Sequence, residues 1–136
     1  LNMSECLFCK IVQGEIGSQK IYEDDKTFAF LDIGPVSKGH TLVIPKEHAQ
    51  DLNSGSEQSA IAVMKTIYKL APKITKALGA SAYNLGMNHG KDAKQEVFHT
   101  HLHLIPRYSD VPRTYDKTFP PQDELEAVAE QIRKKL

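Results

Sequence analysis

Short apolar stretches, separated by turn-forming residues, run through the first three quarters of the chain. They predict strands in "HTLVIP", "SAYNLGMN" and "VFHTHLHLIP", and two more in "QKIYEDDKTFAFLDI", where the chain turns at Asp24-Asp25. The connection over residues 24–26 is too short for a parallel crossover. The pattern therefore predicts an antiparallel five-stranded sheet.

Two other segments have the apolar spacing of a helix. The first predicts one long helix over residues 56–78, with Ser54 and Glu57 as a capping box and Gly79 as its end. We expect Pro72 to kink or break this helix, because proline removes a backbone donor. A C-terminal helix is predicted in "QDELEAVAEQIRKKL", whose apolar face is Leu125, Ala129, Ile132 and Leu136. The predicted class is α+β.

Length and charge limit the partners that this chain can have. Its 136 residues are 40% hydrophobic and carry 17 basic and 17 acidic side chains, which is typical of one globular domain. We expect that domain to span residues 3–136, with Leu1 and Asn2 preceding a native start at Met3. No net charge attracts nucleic acid or a membrane surface. No signal peptide or long apolar run is evident, so we expect a cytoplasmic protein.

Histidine recurs at every second position in "FHTHLHLIPR", as His99, His101 and His103. On a strand, such residues share one face and lie about 6.6 Å apart. Three interpretations follow: a row of exposed surface residues, a face that binds a metal ion, or a site for covalent catalysis. In the third, one neutral imidazole attacks the substrate while a neighbour serves the leaving group.

Cys6 and Cys9 form a C-x-x-C motif near the N-terminus. In a cytoplasmic protein this motif indicates a disulfide oxidoreductase or half of a zinc site. The oxidoreductase interpretation requires a βαβ pattern, which the sequence lacks. A zinc site requires two further ligands.

The segment "QEVFHTHLHLIPR" resembles the motif of the histidine triad family, His-x-His-x-His with apolar spacers. "CLFCKIVQGEI", "YEDDKTFAFLDIGPVSKGHTLVIPKEH" and "NLGMNHG" follow the family's order and spacing, so the resemblance covers about residues 5–110. It is to the nucleotide-hydrolase branch, especially its bacterial members. The resemblance implies an antiparallel α+β fold, a homodimer with a continuous sheet, and hydrolysis at the α-phosphate of nucleotides through a covalent nucleotidyl-histidine.

The resemblance also implies roles for individual residues. His101 would be the nucleophile, His103 would contact the phosphate and leaving group, and His40 would join them from a neighbouring strand. Asp32 would bind the ribose hydroxyls and Asn88 the phosphate region. The base pocket would be built from Leu7, Phe8, Ile11, Phe30, Leu31 and Ile33, although apolar residues of this kind are more often core. Gln95 and Val97, which form the Gln-x-Val preceding the triad, complete the predicted nucleotide-binding set.

His48 and His99 match the positions of histidine ligands in the zinc-bearing members of the superfamily that this chain resembles. With Cys6 and Cys9, these would complete a closed tetrahedral site, so the ion would be structural. Without zinc, His99 would orient His101 instead. The segment over residues 58–85 would form the homodimer interface.

One departure from the family concerns the residues before the triad. Many relatives have Gly-Gln-Ser or Gly-Gln-Thr where this chain has Lys94-Gln95-Glu96. An inward Glu96 would repel phosphate, so we expect it to face solvent, with Lys94 offsetting its charge.

The expected substrates are purine nucleoside phosphoramidates or related nucleotides. The alternatives are dinucleoside polyphosphates, a nucleotide-binding or signalling module with vestigial catalysis, and a hydrolase in which the triad itself holds a metal ion.

Overall fold

The computed structural model describes residues 5–136, so the native start predicted at Met3 lies outside the described range. The five strands are β1 (Lys20–Glu23), β2 (Thr27–Leu31), β3 (Thr41–Pro45), β4 (Ala82–Gly86) and β5 (Leu102–Arg107). Every neighbouring pair is antiparallel, and the strands lie in the order β1-β2-β3-β5-β4. The predicted five-stranded antiparallel sheet is therefore confirmed.

Three helices accompany the sheet: α1 (Leu7–Val12), α2 (Glu57–Leu78) and α3 (Gln122–Arg133). The two longer helices were predicted, whereas α1 was not, because its six residues are too few to show a helical period. The described part of the chain contains no helix with the length and apolar character that crossing a membrane requires.

The two ends of α2 test the predicted caps. Gly79 ends the helix with a left-handed φ of 72°, as expected. The N-cap is Ser56, whose hydroxyl accepts a hydrogen bond from the Ser59 amide at 3.1 Å. The predicted cap at Ser54 is wrong, because Ser54 belongs to a short 3₁₀ turn that is itself capped by Asp51.

Pro72 does not break α2, which continues from Glu57 to Leu78. The lost amide would have bonded to the carbonyl of Tyr68, and the Tyr68 side chain is 85% exposed. On that side of the helix, water can satisfy the free carbonyl. Leu70 and Ile74, buried in the core on either side of the proline, hold both halves of the helix against the sheet.

Both faces of the sheet are covered. Alternate residues of β2 and β3 point in opposite directions, and all ten are buried. One face packs against α2 and α3, in a core that includes Ala29, Leu31, Val43, Leu104, Ile67, Leu70, Ile74, Leu125, Ala129 and Ile132. The other face packs against α1, in a second core formed by Cys6, Phe8, Cys9, Ile11, Phe28, Phe30, Leu42 and Ile44. Leu136, which was expected on the buried face of α3, follows the end of that helix and is 42% exposed.

Gly39 brings the chain into β3 through a conformation that few other residues adopt. Its φ is 86°, and a Cβ atom at this position would collide with the Leu78 side chain. The chain can therefore approach the end of α2 closely here. The next residue, His40, is 3% exposed and enters the sheet on the side of α1, where the site lies.

Candidate active site

The three alternating histidines lie beside the face of the sheet that α1 covers. The ring of Phe8 in α1 meets His99 and His101 edge-on, with centroid distances of 5.9 and 5.1 Å. The rings of His101 and His103 are 5.0 Å apart. Strand β5 begins at Leu102, so His103 is the only one of the three in the strand. The predicted strand over all three is corrected accordingly, although they do share one side of the sheet.

One ring nitrogen of His101 is hydrogen-bonded to the main chain, which leaves the other to carry the lone pair. Its Nδ1 lies 2.8 Å from the main-chain carbonyl of His99, and a carbonyl can only accept. The hydrogen of His101 is therefore on Nδ1, and Nε2 carries a lone pair. Burial lowers the pKa of His101, so the ring is neutral at neutral pH. A neutral imidazole with a free Nε2 is a competent nucleophile.

His40 and His103 are joined by a hydrogen bond of 2.9 Å between His40 Nε2 and His103 Nδ1. The amide of Val36 donates to His40 Nδ1 at 3.2 Å, which places the hydrogen of His40 on Nε2. His40 therefore donates to His103 Nδ1, and the hydrogen of His103 is on Nε2. The carboxylate of Asp32 lies 3.6 Å from His40 Nε2. His103 thus presents an N–H donor beside the ring of His101.

Burial is the largest influence on the charge of this pair. Burial, followed by the neighbouring His101 and His40, lowers the pKa of His103 to about 4. Burial also lowers the pKa of His40, against the opposing attraction of Asp32. The pair is therefore neutral near pH 7 and can pass a proton.

Cys6, Cys9, His48 and His99 place four ligand atoms within 4.8 Å of one another. His99 Nδ1 lies 3.3 Å from Cys6 Sγ, 3.6 Å from Cys9 Sγ and 3.2 Å from His48 Nδ1. Tetrahedral zinc, with bonds of about 2.0–2.3 Å, separates its ligand atoms by about 3.3–3.8 Å. His99 Nε2 donates to the carbonyl of Pro45 at 2.8 Å, so Nδ1 has its lone pair free for a metal ion. The residues fit zinc.

A second group within residues 5–136 that could hold a metal ion is Asp32, His40 and His103. In this group, His40 Nε2 and His103 Nδ1 share the 2.9 Å hydrogen bond. That distance is shorter than the separation of two ligands around tetrahedral zinc, which is about 3.3 Å. This geometry favours a proton relay over a metal site at the triad.

The apolar residues predicted for the base pocket lie in different environments. Phe8, Ile11 and Phe30 are buried in the core beneath α1, next to the histidines. Ile33 is 70% exposed, so its side chain is available to a ligand at the edge of the site. Leu31 lies on the opposite face of the sheet, in the core against α2, and cannot line a pocket on this side.

Asp32 follows β2 and lies at the edge of the histidine cluster. One carboxylate oxygen accepts from the Gly34 amide at 2.8 Å, and the other faces His40. Asn88 is exposed in the loop after β4, where its amide reaches the Lys94 carbonyl at 3.5 Å. Leu7 is also exposed. The structure brings Asp32 to the histidines, whereas Asn88 belongs to the neighbouring loop.

Gln95 is buried and holds this loop together. Its side-chain amide donates to the carbonyls of Gln50 and Val97, at 2.7 and 3.0 Å, and its carbonyl oxygen accepts from the Gly90 amide at 2.8 Å. Val97 packs against the core under α1. The side chain of Gln95 is thus fully engaged in holding the loop.

Glu96 has a partner that the sequence did not indicate. Its carboxylate lies 2.8 Å from the Nζ atom of Lys117, and not beside Lys94 as expected. Lys117 lies in the irregular segment between β5 and α3. No periodic pattern marks that segment, so only the tertiary structure reveals the pair.

Comparison with known proteins identifies the family. A profile of the HIT domain matches residues 13–110, and the chain belongs to this family. Protein hit of Bacillus subtilis is 40% identical over 96% of this chain and 94% of its own length. Adenosine 5'-monophosphoramidase hnt1 of Schizosaccharomyces pombe is 47% identical over 75% of this chain and 74% of its own.

Two solved structures are similar to this chain over nearly its whole length. One is a Zn-bound histidine triad family protein from Mycobacterium smegmatis, 33% identical, with a TM-score of 0.81 over 98% of this chain and 94% of that one. A Hit-like protein from Bartonella henselae reaches a TM-score of 0.89 at 34% identity, over 98% of both chains. These matches confirm the family and the fold that the sequence predicted.

The lowered pKa of His103 predicts how stability changes with pH. The folded protein keeps this ring neutral down to about pH 4, whereas the unfolded chain protonates near pH 6.5. Stability from this group is full above pH 6.5 and falls as the pH drops towards 4, by up to about 1.4 kcal/mol per pH unit. In His103→Asn, the free energy of unfolding measured in urea should change less with pH across this window than in wild type. His89→Asn is the control, and equal slopes for His103→Asn and wild type would contradict the prediction.

Proposed function

We propose that this protein hydrolyses purine nucleoside phosphoramidates or related nucleotides at the α-phosphate, through a covalent nucleotidyl-histidine on His101. The observation that carries the proposal is the hydrogen bond from His101 Nδ1 to the His99 carbonyl, which directs the free Nε2 nitrogen as a nucleophile. Relatives support the substrate class, since two are named adenosine 5'-monophosphoramidases and one, from Arabidopsis thaliana, is named adenylylsulfatase.

The first chemical step forms the nucleotidyl-enzyme. His101 Nε2 attacks phosphorus, and the bond from phosphorus to the leaving nitrogen breaks. His103 Nε2 donates a hydrogen bond to the leaving nitrogen, which takes a proton from solvent and departs as the amine, while His40 keeps its hydrogen bond to His103 Nδ1. In the second step, water attacks phosphorus and returns a proton to solvent, which releases His101 with its lone pair restored.

The nucleoside would bind on the Asp32 side of the histidines. Asp32 has two acceptor oxygens that suit the two ribose hydroxyls. The exposed Ile33 side chain and the edge of the core beneath α1, including Phe8, would contact the base. Asn88 would reach the phosphate region if its loop closes on the ligand.

We further propose that Cys6, Cys9, His48 and His99 hold one zinc ion with a structural role. The cysteines stand at the N-cap and one turn into α1, on the same side, so the ion would fasten α1 to the strand end at β3 and to the triad. Four protein ligands leave no position for substrate.

A homodimer through α2 and β4 completes the proposal. Strand β4 is at one edge of the sheet, and its pairing with a second copy would continue the sheet across both chains. Both elements expose large apolar side chains, namely Ile61, Met64 and Tyr68 on α2 and Tyr83 and Leu85 on β4. Exposed apolar patches of this kind are typical of association surfaces.

His101→Ala should lower kcat to below about one per cent of wild type, a loss of more than about 2.7 kcal/mol, because the nucleophile is removed. Nucleotide binding should persist, since the Asp32 side of the site is unchanged. His103→Ala should slow turnover without abolishing it, and His89→Ala should have no effect. Assays with adenosine and guanosine phosphoramidates and with dinucleoside polyphosphates measure this, and denaturant quenching should trap nucleotide on His101. Activity retained by His101→Ala would exclude this mechanism.

Purified protein should contain about one zinc per chain by elemental analysis. Cys6→Ser should lose the metal. Its free energy of unfolding, measured in urea, should fall by roughly a few kcal/mol, because metal binding contributes to folding. His89→Ala should keep both. Protein without zinc, or zinc that depends on His101 and His103, would contradict the assignment.

The protein should be a dimer by light scattering at micromolar concentration. Leu85→Glu, which places a charge on the exposed edge strand, should shift it to monomer. Leu136→Glu introduces the same charge at another exposed apolar residue and should leave the dimer intact. A monomeric wild-type protein would refute this interface.

A further inference from the structure

The ion pair of Glu96 and Lys117 stands at the mouth of the active site. Glu96 Oε2 and Lys117 Nζ are 2.8 Å apart, and their side chains are 70% and 51% exposed. Glu96 lies close enough to His101 and His103 to interact with both electrostatically. The pair therefore joins the loop before the triad to the segment that follows β5.

Lys117 reaches this position across the loop that carries Asp32. The next residue, Thr118, is fixed there because its amide and hydroxyl both donate to the Pro35 carbonyl, at 3.0 and 2.6 Å. The Lys117 stem passes over Gly34, with its Cδ atom 3.6 Å from where a Cβ on that glycine would be. One oxygen of Asp32 lies 3.8 Å from the same point. The lysine thus lies between the carboxylates of Asp32 and Glu96.

Lys117 offsets negative charge around the histidines. Among the described residues, Asp32, Glu96, Lys117 and Arg107 interact electrostatically with the site histidines. Arg107 donates from Nε to Asn84 and from Nη1 to a main-chain carbonyl beyond β5, and its Nη2 is buried without a partner, so it is less accessible to a ligand than the exposed Lys117. The His40–His103 hydrogen bond requires neutral rings, so the histidines offset no negative charge. Without Lys117, two carboxylates would face an anionic substrate.

We propose that Lys117 is a phosphate-binding residue of this site, and that Glu96 holds it in place until a substrate phosphate displaces the carboxylate. The inference rests on the proposed nucleotide function and adds a binding residue to it. An exposed ion pair contributes little to stability, so it exchanges easily. A phosphate group offers the ammonium group charged oxygens in place of the carboxylate. The negative charge of Glu96 therefore does not exclude phosphate from the site, because the ammonium group of Lys117 neutralises it and is also the group that would bind phosphate.

Calorimetric titration with AMP and with adenosine separates the phosphate contact from the rest of the nucleotide. Lys117→Gln should weaken AMP binding about tenfold and change adenosine binding less than twofold, as loss of a charged hydrogen bond predicts. Lys117→Arg should keep AMP affinity within about threefold of wild type. Glu96→Gln should strengthen AMP binding about threefold, because it frees the lysine. Lys135→Gln removes the same charge from the exposed chain after α3 and should alter neither affinity.

The titrations distinguish a failure of the Lys117 role from a failure of the nucleotide function. If wild type binds AMP and hydrolyses a phosphoramidate while Lys117→Gln binds AMP normally, only the role of Lys117 is overturned. Equal weakening of AMP and adenosine would also overturn it, because the lysine would then support the fold. If wild type binds neither AMP nor adenosine, the nucleotide function fails, and the role of Lys117 fails with it.

Discussion

The hydrogen bond from His99 Nε2 to the Pro45 carbonyl fixes the arrangement on which both clusters depend. It turns the lone pair of Nδ1 towards Cys6 and Cys9, where a metal ion can use it. The main-chain carbonyl of the same residue accepts from His101 Nδ1 and so sets which nitrogen of that ring is free. One buried histidine thereby links the end of β3, the cysteine motif and the candidate nucleophile.

Neutral groups in this site are buried, and charged groups lie near its surface. The buried rings of His40, His101 and His103 are neutral, because burial disfavours their protonated forms. Their hydrogen bonds, and not their charges, define which ring nitrogen carries a hydrogen and which carries a lone pair. The full charges of Glu96 and Lys117 are exposed, where water screens their attraction. Under the proposed function, the chemistry would take place among the buried neutral rings and the anion would bind at the exposed charges.

Much of the fold was readable because strong local patterns agree with it. The apolar runs of the buried strands and the glycine after α2 predicted those elements correctly, and the triad with its cysteines indicated the family. Failures have local physical causes. Ser54 and Ser56 are two residues apart and both of a type that caps helices, but Ser54 is taken up by the 3₁₀ turn that Asp51 caps, so Ser56 becomes the cap. Pro72 is tolerated because its partner carbonyl faces water. Lys117 meets Glu96 across 21 residues, a contact that no periodicity encodes.

The two-residue spacing of the histidines restricts where the chain can change in length. His103 is held in register opposite Leu42 and Gly86. An extra residue between His101 and His103 would turn one of them to the other side of the sheet, because side chains alternate. If His103 kept its register, the shift would also move His99 relative to Cys6 and Cys9. Insertions are compatible with this chemistry only outside residues 99–103, in the exposed segments such as the one over residues 109–116.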